Sequence, residues 1–316
     1  MIRHTIALAL SLPLLAGCAN GGPPPSAAAA APEGKTPNEI VAEAADAEWQ
    51  AIPADDLLVM DLAPAADGSA RRVVMQLVPA PLSTGWTGNV RTLARAHWWD
   101  GTSVYRVVEN WVAQWGDGED DDALAKPLPA GIATVPESEY TALRPRDGAT
   151  VEFAGMNDPY AEHVGYREGI HVAWNEQAIW PIHCYGAVGV ARDLSPDTGT
   201  GAELYVVIGH APRPLDRNIA VVGRMIDGIE HLSTLPRGKG GAGVYDDESL
   251  KVPIQSVRLA SDLPAAERVA YEYLRPSSDS FARYIAVWQN RSDSFYQVGA
   301  GGVDVCNARV PVRAAR

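Results

Sequence analysis

Short apolar segments separated by turns run through most of this 316-residue chain. The segments are rich in Val, Leu and Ile, and the turns between them contain Gly, Pro, Asp and Ser. Helical spacing of apolar residues is clearest in 86–99 and 227–235. Many short strands with about two helices are typical of a closed antiparallel β-barrel, so we predict a mainly β barrel capped by two helices. The barrel strand candidates are 56–63, 71–79, 103–108, 110–115, 186–192, 202–209, 219–225 and 252–260.

The composition suits a globular domain and argues against several kinds of partner. Hydrophobic residues make up 47% of the chain, which is enough for a sizeable core. The formal net charge of −13 disfavours nucleic acid or an anionic membrane surface as the main partner. The histidines lack metal-ligand spacing, and the Gly-rich loop 238–243 lacks the strand-to-helix context of a phosphate site. We therefore predict no metal and no cofactor.

The N-terminus has the layout of a secretory signal. Residues 1–17 contain Arg3 and His4 followed by an apolar run that is shorter than the about 20 residues needed to span a bilayer. The following Leu-Ala-Gly-Cys stretch resembles a bacterial lipobox, which implies cleavage before Cys18 and lipid attached to that cysteine. The alternative is an ordinary signal peptide with an incidental cysteine. Because Ala19 is not aspartate, we expect anchoring to the outer membrane on the periplasmic side, through a disordered tether over 18–37.

Two cysteines remain after Cys18 is set aside. In an oxidising periplasm, Cys184 and Cys306 invite a disulfide. The sequence does not give the distance between their Cα atoms, so a disulfide and two buried thiols both stay open.

The rest of the chain divides into one domain, an insert and a tail. We place the domain at 38–261, with a helix candidate at 38–52 and a long loop insert at about 119–182. The insert contains Tyr160, Trp174 and Trp180, which favour packing over disorder. The tail over 262–316 is predicted to dock on the barrel, with a helix over 263–274 and strand-like segments at 281–290 and 294–301.

Three blocks carry a resemblance to a known family. YRVVENWVAQWGDG (105–118), GVARDLSPDTGTGAELYVVIG (189–209) and PLDRNIAVVGRMIDGIEHL (214–232) resemble, in the same order, the signature segments of cyclophilin-type peptidyl-prolyl cis-trans isomerases. The resemblance covers about 56–260 and implies a cyclophilin-like barrel. It also implies isomerase (rotamase) activity on proline-containing peptides.

Arg106 matches the catalytic arginine of that family. Rotation about an X-Pro bond breaks amide resonance and has a barrier of ~18–20 kcal/mol. A catalyst must bind the twisted amide more tightly than the planar forms, and a guanidinium suits this because it stays charged and presents a rigid set of donors. The resemblance therefore assigns catalysis to Arg106. The alternative is a surface arginine on an edge strand.

The resemblance also implies a proline pocket and a peptide-binding surface. The pocket positions are all apolar or aromatic here, and further positions contact the peptide. The predicted substrate-binding residues are Trp111, Val112, Gln114, Ala191, Glu203, Tyr205 and Leu215.

Several positions depart from the family pattern. Glu203 stands where the family has glutamine, and a carboxylate facing Arg106 would hold the guanidinium but weaken its pull on the substrate. Pro214 replaces a pocket tryptophan, Arg192 replaces an asparagine, and the histidine position falls on Asn218 or Ile219. These changes put peptide affinity in question.

Two functions follow from these residues. The first is a peptidyl-prolyl isomerase that assists the folding of exported proteins, with unfolded exported chains as partners and the membrane reached through the N-terminal lipid. The alternative is a catalytically weak or inactive cyclophilin-like binding or chaperone module of the cell envelope.

Overall fold

The computed structural model describes residues 34–119, 121, 123–144, 153–154 and 156–316. The predicted signal peptide, Cys18 and the tether up to residue 33 lie outside these residues. Within the described part of the chain, no helix has both the length and the apolar character needed to cross a membrane.

The helices are α1 (Pro37–Ala42), α2 (Thr84–Arg95), α3 (Glu230–Ser233) and α4 (Asp279–Gln289). The strands are β1 (Trp49–Ala51), β2 (Leu57–Leu62), β3 (Arg71–Leu77), β4 (Ser103–Val107), β5 (Val112–Gly116), β6 (Ala142–Leu143), β7 (Phe153–Ala154), β8 (His163–Arg167), β9 (Ile170–Trp174), β10 (Ala178–Pro181), β11 (Ala187–Val190), β12 (Leu204–Val207), β13 (Val221–Asp227), β14 (Val252–Leu259), β15 (Tyr271–Leu274) and β16 (Val312–Ala314).

Eight strands close into an antiparallel barrel in the order β11-β12-β5-β4-β14-β2-β3-β13, with β13 pairing back to β11. All eight were predicted from the sequence, and the mainly β barrel is confirmed. Period-two alternation explains why the segments were recognisable, because successive side chains of a strand face opposite sides. In β5, Ala113 and Trp115 face the barrel core, whereas Val112 and Gln114 face outward.

The helix α2 supplies much of the barrel core. Trp86, Val90, Leu93 and Ala94 are buried in one cluster with inward-facing strand residues. Their spacing is that of a single helical face, which is the pattern that predicted this helix. The one-turn helix α3 adds Leu232 to the same cluster. Both predicted capping helices are therefore present.

The insert is a sheet rather than the predicted long loop. Its strands pair in the order β6-β10-β9-β8-β7. The hairpin of β8 and β9 turns at Glu168 and Gly169, both of which have positive φ. Trp174 and Trp180 are buried, as expected for a packed insert, whereas Tyr160 is exposed.

The tail docks through a three-stranded sheet in which β15 pairs with both β1 and β16. Three local assignments in the tail were wrong, and one of them is the strand-like segment at 294–301, which contains no strand. Residues 281–290 form most of α4, because Ser278 caps its N-terminus and Phe281, Tyr284 and Ile285 lie on one buried face. The predicted helix over 263–274 ends instead in β15, where backbone pairing with two other strands outweighs the helical propensity of its Ala and Glu residues.

A disulfide fastens the tail to the segment that directly follows the insert. Cys184 and Cys306 are joined, with their Cα atoms 4.9 Å apart. Both cysteines belong to a buried cluster that also contains Tyr166 of the insert and Phe281 of α4. Of the two alternatives left open by the sequence, the structure therefore has the disulfide and not two buried thiols.

Candidate active site

Strand register brings three predicted site residues into one row on the outer face of the barrel. Arg106 of β4 lies opposite Gln114 of β5, and Gln114 lies opposite Tyr205 of β12. Directly opposed residues of antiparallel strands point to the same side of the sheet. Val112 lies two residues along β5 and therefore shares this face.

Arg106 is held at two of its nitrogens. Its Nε donates to the carbonyl of Ala242 at 2.7 Å, and its Nη1 donates to Oε1 of Gln114, also at 2.7 Å. Among the described residues, Nη2 has no hydrogen-bond partner and no carboxylate forms a salt bridge with the guanidinium. Burial lowers the pKa of Arg106 from its ordinary value. An arginine fixed in this way can offer its remaining donors to a ligand on the outer face.

Glu203 faces away from Arg106. Its Oε2 accepts from the Tyr105 hydroxyl at 2.8 Å, and its Oε1 accepts from the backbone N–H of Asp117 at 2.7 Å. Burial raises the pKa of Glu203, and these hydrogen bonds partly oppose the shift. The carboxylate fills the space beside Gly116, where an added Cβ would lie 2.2 Å from Oε2. The Glu203 carboxylate therefore does not face the guanidinium of Arg106, as it would have to do to weaken its pull on a substrate.

Tyr205 is tied to a buried polar network. The Nδ1 of His183 lies 2.9 Å from Oδ1 of Asp216, and its Nε2 lies 2.9 Å from the Tyr205 hydroxyl. Because an ionised carboxylate only accepts hydrogen bonds, Nδ1 donates to Asp216, and in a neutral imidazole Nε2 then accepts from Tyr205. Arg213 bridges Asp216 to Asp158 of the insert, at 2.6 and 2.5 Å. The insert and the loop before β13 are thereby joined to the site.

Removing the Tyr205 hydroxyl is expected to destabilise the fold. In Tyr205→Phe, the buried Nε2 of His183 loses its donor, and the free energy of unfolding should fall by about 1–3 kcal/mol. Urea denaturation measures the difference. Tyr160→Phe is the matched control, because Tyr160 is 54% exposed and its change should stay within about 0.5 kcal/mol. Equal stability of the two variants would contradict the assigned role of the hydroxyl.

The predicted pocket residues differ in how much solvent reaches them. Val112 and Tyr205 are only 2% and 4% exposed, because they belong to one buried cluster with Trp174 and other apolar residues of the insert sheet. Trp111, by contrast, is 36% exposed. Ala191 and Leu215 are half-buried.

The remaining departures from the family pattern are Pro214, Ile219, Asn218 and Arg192. Pro214 is exposed, and Ile219 packs against the buried cluster that contains Tyr205. Arg192 donates from Nε to the carbonyl of Asn218 at 3.0 Å, which joins two of the altered positions.

Sequence reasoning did not select Tyr105, His183 or Ala242. Tyr105 directly precedes Arg106 and occupies the histidine position of the family's Phe-His-Arg signature, so its place in the motif was a signal. His183 was considered only as a metal ligand. Within the described residues, no group of three His, Cys, Asp or Glu side chains could hold a metal ion. Ala242 contributes a backbone carbonyl, which no side-chain pattern reveals.

The comparisons with known proteins identify the family and the fold. Residues 77–259 match the family described as "Cyclophilin type peptidyl-prolyl cis-trans isomerase/CLD". The chain belongs to this family. The matched residues include every barrel strand except β2 and all but the last residue of β3, and the family binds proline-containing peptides. No curated protein matches the chain.

Two solved cyclophilins are similar in structure. Cyclophilin AquaCyp293 from Hirschia baltica is 18% identical, with a TM-score of 0.61, over 89% of this chain and 97% of that chain. This likeness shows the cyclophilin-like fold. A cyclophilin-type isomerase from Cryptosporidium parvum, crystallised in the presence of the dipeptide Ala-Pro, is 12% identical, with a TM-score of 0.36, over 64% of this chain and 98% of that chain.

Proposed function

We propose that this cyclophilin catalyses prolyl cis–trans isomerisation in exported proteins, with Arg106 as the catalytic residue. The observation that supports this best is the fixed guanidinium: Arg106 is anchored by Gln114 and Ala242 on the same barrel face as Tyr205. With no salt-bridged carboxylate among the described residues, its charge is available to a substrate.

The proposed chemistry uses a property of the twisted amide. As the bond rotates, the prolyl nitrogen becomes pyramidal and can accept a hydrogen bond that the planar amide accepts poorly. Donors from Arg106 then stabilise the transition state more than either ground state, which is the condition for raising turnover. Gln114 donates one N–H to Tyr105, and its second N–H is suited to a peptide carbonyl. The apolar rim of Trp111, Ala191 and Leu215 would contact the proline ring.

A binding module is the second candidate function. It is favoured by the insert sheet, which covers Val112 and Tyr205 and leaves these two pocket residues almost without solvent contact. A proline ring would have to use the exposed rim or displace part of the insert sheet. A protein that holds proline-containing segments at the rim without turning them over fits this observation.

A protease-coupled assay with an Ala-Pro-Phe peptide separates the two functions. If the protein is an isomerase, the slow phase of peptide cleavage, which is limited by prolyl isomerisation, should be faster with the wild-type protein than without it. Arg106→Ala should lose this effect. Equal rates for wild type and Arg106→Ala would support the binding module.

We also propose that lipid on Cys18 anchors the mature protein in the outer membrane, where it meets exported chains. In the cell, Cys18→Ser should leave the membrane fraction and lose incorporation of labelled palmitate. Ala19→Asp is the matched control, since it keeps the cysteine and should move the protein to the inner membrane. Membrane association of Cys18→Ser equal to wild type would contradict the anchor.

A further inference from the structure

We propose that Tyr105 and Glu203 act as positioning residues that fix the orientation of the Gln114 amide and, through it, the guanidinium of Arg106. This inference rests on the proposed function and adds two residues to it. Neither residue needs to touch the substrate. Their role follows from a chain of four side chains in which every hydrogen bond has a defined direction.

The chain begins at a backbone donor. The N–H of Asp117 donates to Oε1 of Glu203, and the Tyr105 hydroxyl donates to Oε2 of the same carboxylate. A phenol has a single proton, so the Tyr105 oxygen can only accept from its other neighbour. That neighbour is Nε2 of Gln114, at 2.5 Å.

The direction of the last bond follows from the others. With Nε2 directed to Tyr105, Oε1 of Gln114 faces β4 and accepts from Nη1 of Arg106 at 2.7 Å. If the amide were reversed, its NH₂ group would face the guanidinium, and two donors would oppose each other. The carboxylate of Glu203 therefore determines which end of Gln114 meets Arg106.

A β-bulge makes this chain possible. The pairing of β4 with β5 shifts register between Val104 and Arg106, so Tyr105 is the extra residue. Bulges re-aim side chains, and here the phenol reaches both Gln114 and Glu203 while Arg106 stays opposite Gln114.

Glutamine at position 203 would not hold the Gln114 amide in this orientation. Asp117 and Tyr105 each require an acceptor, and a carboxylate supplies two oxygens. A glutamine supplies one oxygen and one NH₂ group. If its oxygen bonds Asp117, its NH₂ group donates to the Tyr105 oxygen. The phenol must then donate to Gln114, which reverses the amide.

The test combines turnover with a measurement that does not require turnover. Tyr105→Phe and Glu203→Gln should each lower kcat for a prolyl peptide by about tenfold, the size expected for one lost hydrogen bond, with KM nearly unchanged. The double variant should be no slower than Tyr105→Phe within about twofold, because both changes break one chain. The side-chain NMR signals of Gln114 Nε2 and Arg106 Nη should shift or broaden in both variants.

The controls are surface changes of the same type. Glu109→Gln removes a carboxylate whose side chain is 74% exposed, and Tyr160→Phe removes an exposed hydroxyl. Both should keep wild-type kcat and wild-type Gln114 signals. Unchanged Gln114 and Arg106 signals in Tyr105→Phe and Glu203→Gln would overturn the proposal. A double variant whose loss of kcat is the product of the two single losses would overturn it as well. A wild-type protein without isomerase activity would overturn the proposed function instead, and the Gln114 and Arg106 signals would still decide this inference.

Discussion

Replacing Arg106 by alanine is expected to lower kcat/KM for a prolyl peptide about 100-fold, the loss typical when one donor aimed at developing charge is removed. The side chain carries out the step that we assign to catalysis, because its donors meet the prolyl nitrogen only while the amide is twisted. A 100-fold loss corresponds to about 2.7 kcal/mol of transition-state stabilisation. The protease-coupled assay measures the change directly.

Two further variants define what the arginine contributes. Arg106→Lys keeps the charge but lacks the planar fork that bonds Ala242 and Gln114 together, so most of the loss should remain. Arg72→Ala removes a surface arginine that pairs with Asp61 on the barrel and should keep wild-type kcat/KM. If Arg106→Ala retained the activity of Arg72→Ala, the guanidinium would have no part in turnover.

Removing the disulfide is expected to give the largest loss of stability. Cys184 and Cys306 are separated by 122 residues, and the loop-entropy relation gives about 5 kcal/mol for a cross-link of this span. Cys184→Ala/Cys306→Ala should therefore unfold at a lower urea concentration than the oxidised wild type. Alkylation of the unfolded, non-reduced mature protein should also leave both wild-type cysteines unlabelled.

The reduced wild type is the matched control for the double variant. With a reductant present, the two proteins should unfold at similar urea concentrations, because neither has the cross-link. A double variant as stable as the oxidised wild type would mean that the buried cluster around Cys306 holds the tail without it.

The disulfide also adjoins the polar network of the site. Cys184 follows His183, whose ring bonds both Asp216 and Tyr205. Arg213 continues the network to Asp158. The segment that directly follows the insert is thus held by a buried hydrogen-bond network at His183 and by a covalent link at Cys184. Since this network reaches both Tyr205 of β12 and Asp158 of the insert, the insert is part of the architecture of the site.

The sequence by itself determined the eight barrel strands and the helix α2, and its resemblance to the family assigned Arg106 and Gln114 to one site. These features depend on local periodicity and on motif spacing, which are properties of neighbouring residues. The errors in the tail show the limit of that reasoning. The helical spacing of Phe281, Tyr284 and Ile285 was present in the sequence, but β-branched and aromatic composition favoured a strand there.

Only the tertiary structure decided where Glu203 points, what covers Tyr205 and whether Cys184 and Cys306 form a disulfide. Glu203 meets Tyr105 across 98 residues, and the disulfide spans 122. Such contacts arise when strands far apart in the sequence pair and when a bulge rotates one side chain. The direction of each hydrogen bond then depends on every donor and acceptor around it, and that arrangement exists only in the folded chain.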